Sequence, residues 1–493
     1  MLSEHEVKHW EEDGRVSVFE TSKGWSILDA TAQAALVARG EATAADLVAA
    51  ACERVERLDP DLGAVPVFYG DEALEAVRSV REDARFPGVP FLMKDVGARQ
   101  AGQPYYAGNR ALRDADHRAD SDTLLGARFR ELGLITIGNS NSPEFGLQSN
   151  TWPIAHGPTH NPWNLAHSAG GSSGGACAAV AAGLVPVAHA SDGAGSIRIP
   201  ASWCGLIGLK PSRDRVHWRH SGHDRADVEF VVARSLRDTA AFLDRLRPPT
   251  VRREKPDRHT SALYQTPPRL QIGICTQSPA GGPVHPACVR AVEETAEALR
   301  ASGHLARQAA PSTFGDYEER SFHRAAFGVH EYLECLEDLE LRLGREIGPD
   351  DVEPFLWELA HIGAEELSPL EIEKATTWLS EWQRRTLSWF DEFDLLMTPT
   401  VCEPAPRLDS LDPSNHAPLA LLEKMVPHMA FTEMWNATGQ PAISLPIGFS
   451  EEESLPVGVQ LVASPGRDAL LLSVSALLLP RLDALPRQAP VHA

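Results

Sequence analysis

The stretch GGSSGGACAAVAAGLVPVAHASDGAGSIRIPA, residues 170–201, constrains the fold more than any other part of the chain. Two loops of glycine and serine enclose a run of alanine and valine. Glycine permits positive φ and close backbone approach, so each loop reads as a tight turn. A flexible linker has no use for the apolar run, and a core helix has no use for glycines at both ends. One arrangement uses both: a turn, a short helix at 175–182, a strand at 184–190, and a second turn that opens another helix. The small side chains between the turns let helix and strand pack closely, so that the two turns meet.

The same alternation runs through the chain. Apolar residues at three- and four-residue spacing make 27–80 helical, with Gly40 ending the first helix and Thr43 capping the next. FPGVPFLMKDV is a Pro/Gly turn leading into a strand that ends at Lys94 and Asp95. A helix and then a strand at 134–138 follow. Residues 141–170, rich in Pro, His, Asn and Trp, read as loop. LIGLKPS, LQIGICT, FDLLMTPT and PAISLPIGF read as strands, and 286–303 as a helix. Residues 247–268 form a proline- and arginine-rich connection. Residues 316–393 are helical and carry Trp357, Trp378, Trp382 and Trp389. Trp378 and Trp382 share a helix face, which fits a core stripe or, as the alternative, an aromatic lid over an apolar acyl chain. The expected fold class is α/β: one large mixed β-sheet with helices on both faces. It forms a single unit at 25–485 behind an N-terminal arm at 1–24, with a helical insertion at 316–393.

Charge and cysteine usage exclude several functions. A net charge of −22 argues against nucleic acid or an anionic membrane as partner. The acidic start MLSEHEVKHWEEDG lacks the apolar core of a secretory signal, and no run reaches the roughly 20 apolar residues of a membrane span. The seven cysteines are scattered with no CxxC pair, which predicts reduced thiols, a cytoplasmic setting and no zinc. No metal and no cofactor are expected. The expected partner is a small molecule, with a homo-oligomer left open.

Chemistry concentrates in the two loops. GGSSGG stands directly before a helix N-terminus, where N–H groups favour an anion, yet GxxxxGK[ST] and GxGxxG are both absent. In SDGAGSIRIPA several consecutive N–H groups point into one concavity, the geometry of an oxyanion hole. Ser196 there could attack a carbonyl, or simply cap a helix. A serine nucleophile needs a base. Nineteen histidines are available, and so is Lys94, one of only seven lysines, placed after the apolar VPFLM. Burial lowers a lysine pKa from about 10.4, and a neutral amine can accept a proton. A solvated lysine past a strand end is the alternative. GGSSG also satisfies the G-x-S-x-G elbow with Ser172 as nucleophile, but HNPWNLAHSA is a poor strand to precede it. Cys177 and Cys204 could serve a cysteine amidase, though their small apolar surroundings fit core residues. His217, His220, His223 and Asp224 match no zinc spacing.

GGSSGG, its spacing to GAGSIRIPA, CGLIGLKPS, the upstream FPGVPFLMKDV and the downstream NATGQPAISLPIGF…LPVGVQLVA together resemble the amidase signature family of Ser–Ser–Lys hydrolases, over 27–479. DATAQAALVARGE, NPWNLAHSAGGSSGG and PVAHASDGAGSIRIPASWCG look most like its branch that hydrolyses cyclic dimers of 6-aminohexanoate. The resemblance implies a serine amidohydrolase of small linear or cyclic amides, with aryl amides, esters and carbamates also within reach. It implies that Ser196 is the nucleophile, that Ser172 bridges it to the base through a cis peptide from Gly171, and that Lys94 is the neutral base. Gly193, Ala194, Gly195 and Ser196 would form the oxyanion hole, supported by Gly171, Ser173 and Asp192. Many members carry TDTGGS where this chain has SDGAGS, so Ala194 stands for a glycine and its methyl would narrow the acyl site. A partner-dependent amidotransferase subunit is the competing role for such a fold.

Overall fold

The computed structural model describes residues 24–81, 83–216, 227–248, 257–362, 368–484 and 488–493. The N-terminal arm, the His217–His220–His223–Asp224 group and the middle of the 247–268 connection lie outside them.

Thirteen strands occur among the described residues: β1 Val67–Phe68, β2 Pro90–Lys94, β3 Ile135–Ser140, β4 His160–Asn161, β5 Asn164–Ser168, β6 Val187–Asp192, β7 Ile207–Lys210, β8 Val228–Ala233, β9 Gln271–Ile274, β10 Leu305–Gln308, β11 Leu395–Pro399, β12 Ala442–Ser450 and β13 Leu455–Ala463. Eleven form one sheet in the order β1-β3-β2-β6-β8-β7-β12-β13-β11-β9-β10, while β4 and β5 pair separately. The neighbours of β2 and of β9 include parallel pairs, whereas β6 to β11 run through five antiparallel pairings, so the sheet is mixed. All nine residues of β13 are buried. Successive side chains point to opposite faces of a strand. Val457, Val459, Leu461 and Ala463 accordingly enter the main core, while Val462 enters a second cluster with Trp382 and Trp435. Helices therefore cover both faces, as the alternation of elements predicts.

The predicted helix between the glycine loops spans Gly174–Ala181, and every residue in it is buried. Its closeness explains its composition. A Cβ on Gly175 would stand 2.3 Å from Asn141 N, and one on Gly174 would stand 2.4 Å from Thr151 Oγ1. Thr43 caps the helix Ala44–Leu62 through a reciprocal box with Asp46. Six strands were not anticipated: the two-residue β1, the β4–β5 pair inside the expected 141–170 loop, β8, β10 at the sheet edge, and β13.

The 316–393 region is helical as expected, with helices Tyr317–Leu343, Pro354–His361 and Pro369–Ser388. Trp382 is fully buried against Phe314, Phe390 and Trp435, so it is a core residue of the insertion. Trp378 stacks on His323 with ring centroids 4.7 Å apart. The turn before Pro354–His361 is docked onto the body. Glu353 N–H donates to Glu144 Oε2 at 2.8 Å, Ile154 N–H donates to Glu353 Oε1 at 2.6 Å, and Asn109 Nδ2 bonds both Glu144 Oε1 and Asp351 O. Two carboxyl groups thus lie buried together. Burial and the neighbouring Glu353 charge push Glu144 up to about 8, and burial pushes Glu353 up to about 7.

Candidate active site

β2 and β6 are parallel in the register Phe91↔Val187 and Leu92↔Ala188, so their C-terminal ends lie side by side. This delivers Lys94, the last residue of β2, next to the end of β6. Lys94 is 1% exposed. Its Nζ lies 2.6 Å from Ser172 Oγ and 2.8 Å from Ser191 Oγ. Burial lowers its pKa to about 7, against the opposing pull of Asp227, Glu229 and Asp192. The reading of a buried lysine with a depressed pKa is therefore the one the structure adopts, and the solvated-lysine alternative falls.

Behind Lys94 sits a second buried pair. His189 Nδ1 accepts the Lys94 backbone N–H at 3.2 Å, which makes the ring a neutral Nε2–H tautomer. Burial and the nearby lysine hold His189 down at about 3. Its Nε2 faces Glu229 Oε1 at 3.6 Å, and burial pushes the Glu229 carboxyl well up.

The first glycine loop is shaped by what surrounds it. Gly170 has φ +84°, and a Cβ there would stand 2.7 Å from Pro200 Cα. A Cβ on Gly171 would meet Asn150 N and Gln148 O at 2.6 Å. The Gly171–Ser172 peptide is cis, as the resemblance implies. Ser173 ties the two loops together. Its N–H donates to Ser196 O at 3.2 Å, its hydroxyl donates to Ser191 O at 3.2 Å, and its oxygen accepts Ser191 N–H at 3.3 Å. The wall opposite Ser172 is Gly146, where a Cβ would lie 3.3 Å from Ser172 Oγ and 3.5 Å from Val96 Cγ1. Val96, Phe145 and Leu147 pack there in one apolar cluster with Tyr332, Leu336 and Trp357 of the helical insertion.

The second loop is organised by Asp192. Its carboxylate accepts Gly195 N–H at 2.8 Å and Ile197 N–H at 3.2 Å, and it pairs with Arg198 through Nε at 2.9 Å and Nη2 at 2.8 Å. Burial works against the Asp192 charge, but the Arg198 guanidinium wins and holds it at about 2. Arg198 is itself fully buried and reaches Gln460 Oε1, Asn436 Oδ1 and Thr432 O. Asn436 Nδ2 donates back to Asp192 O at 2.7 Å. The amides of Gly193, Ala194 and Ser196 have no acceptor among the described residues. Gly195 departs from expectation: its N–H is committed to the Asp192 carboxylate. Ala194 is absent from the residues with positive φ, so its backbone needs no left-handed conformation.

Ser196 is half-buried in the turn just before the helix Arg198–Cys204, and its hydroxyl makes no hydrogen bond among the described residues. Lys94 and Ser172 are thus in contact, while the leg from Ser172 to Ser196 is not closed by a hydrogen bond. Sequence reasoning missed Ser191, His189, Glu229, Thr432, Asn436 and Gln460. The last three lie more than 200 residues from the turn they hold; Asn436 and Gln460 fall within quoted motifs, but nothing local marks their partner.

The competing readings do less well. Burial raises the thiols of Cys177 and Cys204, which opposes a cysteine nucleophile. A strand, β5, does precede Ser172, contrary to the loop expected there. It pairs only with β4, outside the main sheet, so the elbow geometry is not formed. No group of three metal-ligating side chains occurs among the described residues, and the His217–His220–His223–Asp224 group lies outside them.

The family profile described as Amidase matches residues 46–472. The 6-aminohexanoate-cyclic-dimer hydrolase of Pseudomonas sp. (strain NK87) is 37% identical over 471 residues, covering 91% of this chain and 94% of that protein. The lipoamidase of Enterococcus faecalis is 30% identical, covering 90% of this chain and 62% of that protein. Among solved structures, a 6-aminohexanoate cyclic dimer hydrolase complexed with substrate superposes with a TM-score of 0.88 at 34% identity, covering 94% of this chain and 99% of that one. A bacterial aryl acylamidase superposes with a TM-score of 0.82 at 27% identity, covering 93% of this chain and 96% of that one.

Proposed function

We propose, for a chain that belongs to the amidase family, a division of labour in which Ser196 is acylated, Ser172 carries the proton and Lys94 is the base. The enzyme is an amidase, a hydrolase of carbon–nitrogen bonds other than peptide bonds. The observation that carries the proposal is the buried Lys94 amine, 2.6 Å from Ser172 Oγ. Ser172 takes the Ser196 proton as Lys94 takes its own, and Ser196 Oγ attacks the amide carbon. The oxyanion is met by the amides of Gly193, Ala194 and Ser196. Ser172 returns a proton to the leaving nitrogen, the C–N bond breaks, and an acyl-enzyme remains. Water then releases the acid by the same route.

The substrate is a small linear or cyclic amide with an apolar acyl chain, of the 6-aminohexanoate oligomer class or an aryl amide, with carbamates as further candidates. The relatives' substrates support this, as does the apolar wall of Val96, Phe145 and Leu147 beside Ser172. Among the described residues no helix is long and apolar enough to cross a membrane. All seven cysteines are free thiols, which supports a cytoplasmic location.

The test is a panel of linear amides, cyclic aminohexanoate oligomers, aryl amides, esters and carbamates, run with wild type and Ser196→Ala. Intact mass after an acylating inhibitor should show one adduct on wild type and none on Ser196→Ala. An adduct mapped to Ser172 would overturn the assignment.

A further inference from the structure

The turn that carries Ser196 is held both by its own helix and from distant segments. Asp192 O accepts from Asn436 Nδ2, Gly195 O accepts from Ile199 N–H at 2.7 Å, and Ser196 O accepts from Ser173 N–H. The remaining anchored carbonyl, Ala194 O, accepts from Thr432 Oγ1 at 2.6 Å. A threonine hydroxyl has one proton. Met429 O is its other neighbour at 3.2 Å, so the shorter Ala194 contact takes it. The carbonyl of Ala194 and the N–H of Gly195 belong to one planar peptide unit. Thr432 therefore grips one end of that plane while Asp192 Oδ1 grips the other at 2.8 Å. The circuit closes on itself, because Arg198 bonds Asp192 on one side and Thr432 O on the other. Contact is also steric. A Cβ on Gly195 would lie 2.4 Å from Thr432 Oγ1, and Gly195 holds φ +129°, where only glycine is at ease.

We infer that Thr432 is a positioning residue for the oxyanion turn: its hydroxyl fixes the Ala194–Gly195 peptide plane, and so aims the flanking Ala194 and Ser196 amides at the tetrahedral intermediate. The inference rests on Ser196 being the nucleophile. The Thr432 hydroxyl bonds backbone carbonyls and makes no hydrogen bond to Lys94, Ser172 or Ser196 among the described residues. Thr432 comes from the segment after the helix Pro418–Met429, 238 residues along the chain from the carbonyl it holds. A peptide plane released at one end can rotate. A rotated plane mis-aims donors that matter only once the carbonyl oxygen becomes an oxyanion. The effect should therefore fall on the transition state and spare ground-state binding.

The experiment compares Thr432→Val, which keeps the shape and removes the donor, with Thr432→Ser, which keeps the donor. Measured for each are kcat and KM on one amide substrate, the inhibition constant of an alkyl boronic acid, and the melting temperature. Deleting an oxyanion donor outright costs about 100- to 1000-fold in kcat, so loosening two is expected to cost about 10- to 100-fold. Thr432→Val should lose that much kcat with KM within about 2-fold, and should bind the boronic acid more weakly by a factor similar to its kcat loss. Thr432→Ser should return kcat to within about 3-fold of wild type. Thr432→Cys, a weak donor of similar volume, replaces Thr432→Val if the latter does not fold. Unchanged kcat in the donor-free variant would overturn the inference. So would equal loss in Thr432→Ser, or a kcat loss with boronic acid affinity intact. Failure of the nucleophile assignment shows separately, as inhibitor labelling that persists in Ser196→Ala.

Discussion

Lys94 Nζ and Ser172 Oγ stand 2.6 Å apart at a site where the second partner of the amine, Ser191, is also a neutral hydroxyl. The lysine is poised between its two protonation states, since burial brings its pKa to about 7. A plot of kcat/KM against pH should therefore rise through one group with an apparent pKa near 7 and level off on the alkaline side. A rate still climbing steeply at pH 10 would mean that the amine is protonated at rest.

Arginine cannot stand in for this lysine. Its guanidinium stays protonated and cannot accept a proton. Lys94→Ala and Lys94→Arg should each lose roughly a thousandfold or more in turnover, within the range general-base removal costs together with the relay it feeds. Single-turnover acylation rates would check this, and near-normal acylation in Lys94→Arg would sink the lysine as base.

The same burial has a stability signature. The folded pKa of Lys94 is depressed, so the unfolded chain binds more protons than the folded one between about 7 and 10.5. The group's unfavourable contribution is largest below pH 7 and fades as pH rises towards 10.5. Lys94→Met should melt higher than wild type at pH 6, and the gap should narrow by pH 10. Thermal melts of both proteins across that range measure it, and a gap that widens with pH has the wrong sign.

Glu353 behaves in the opposite sense. Its folded pKa, raised to about 7 by burial, lies above its usual value of 4.5. Stability from its protonated form is fully present below about 4.5 and is lost as pH rises through about 7. Glu353→Gln keeps an oxygen for Ile154 N–H and cannot ionise. It should raise the melting temperature at pH 8.5 and change it little at pH 4.5. Melts that move equally at both pH values would show that Glu353 does not titrate there.

Much of this was legible in the sequence because the decisive contacts are local or periodic. The 170–201 stretch spells out turn, helix, strand and turn, and its glycines stand where a Cβ would collide with Asn141 N or Pro200 Cα. Lys94 was marked by scarcity and by the apolar run before it. The Gly195 donor was misjudged because its fate depends on the Asp192 side chain, which a one-dimensional reading leaves undirected. β8 and β13 went unpredicted although VEFVVA and LPVGVQLVA are apolar runs of strand character. Thr432 lies outside every motif read, and although Asn436 and Gln460 lie within NATGQPAISLPIGF and LPVGVQLVA, their contact with the turn could not be read. Each meets the turn only through tertiary folding, and a threonine or a glutamine carries no pattern that announces a partner 230 or 260 residues away.

The helical insertion reaches the site's apolar wall by packing, and its polar contacts fall on flanking residues, as between Glu353 and Glu144 and between Arg320 and Glu433. Among the described residues, no hydrogen bond to Lys94, Ser172 or the 192–198 turn comes from the insertion's helices, whereas Tyr332, Leu336 and Trp357 share a cluster with Val96 and Phe145. Substitutions at Tyr332, Leu336 and Trp357 would accordingly reshape the apolar wall while leaving the Lys94–Ser172 contact in place.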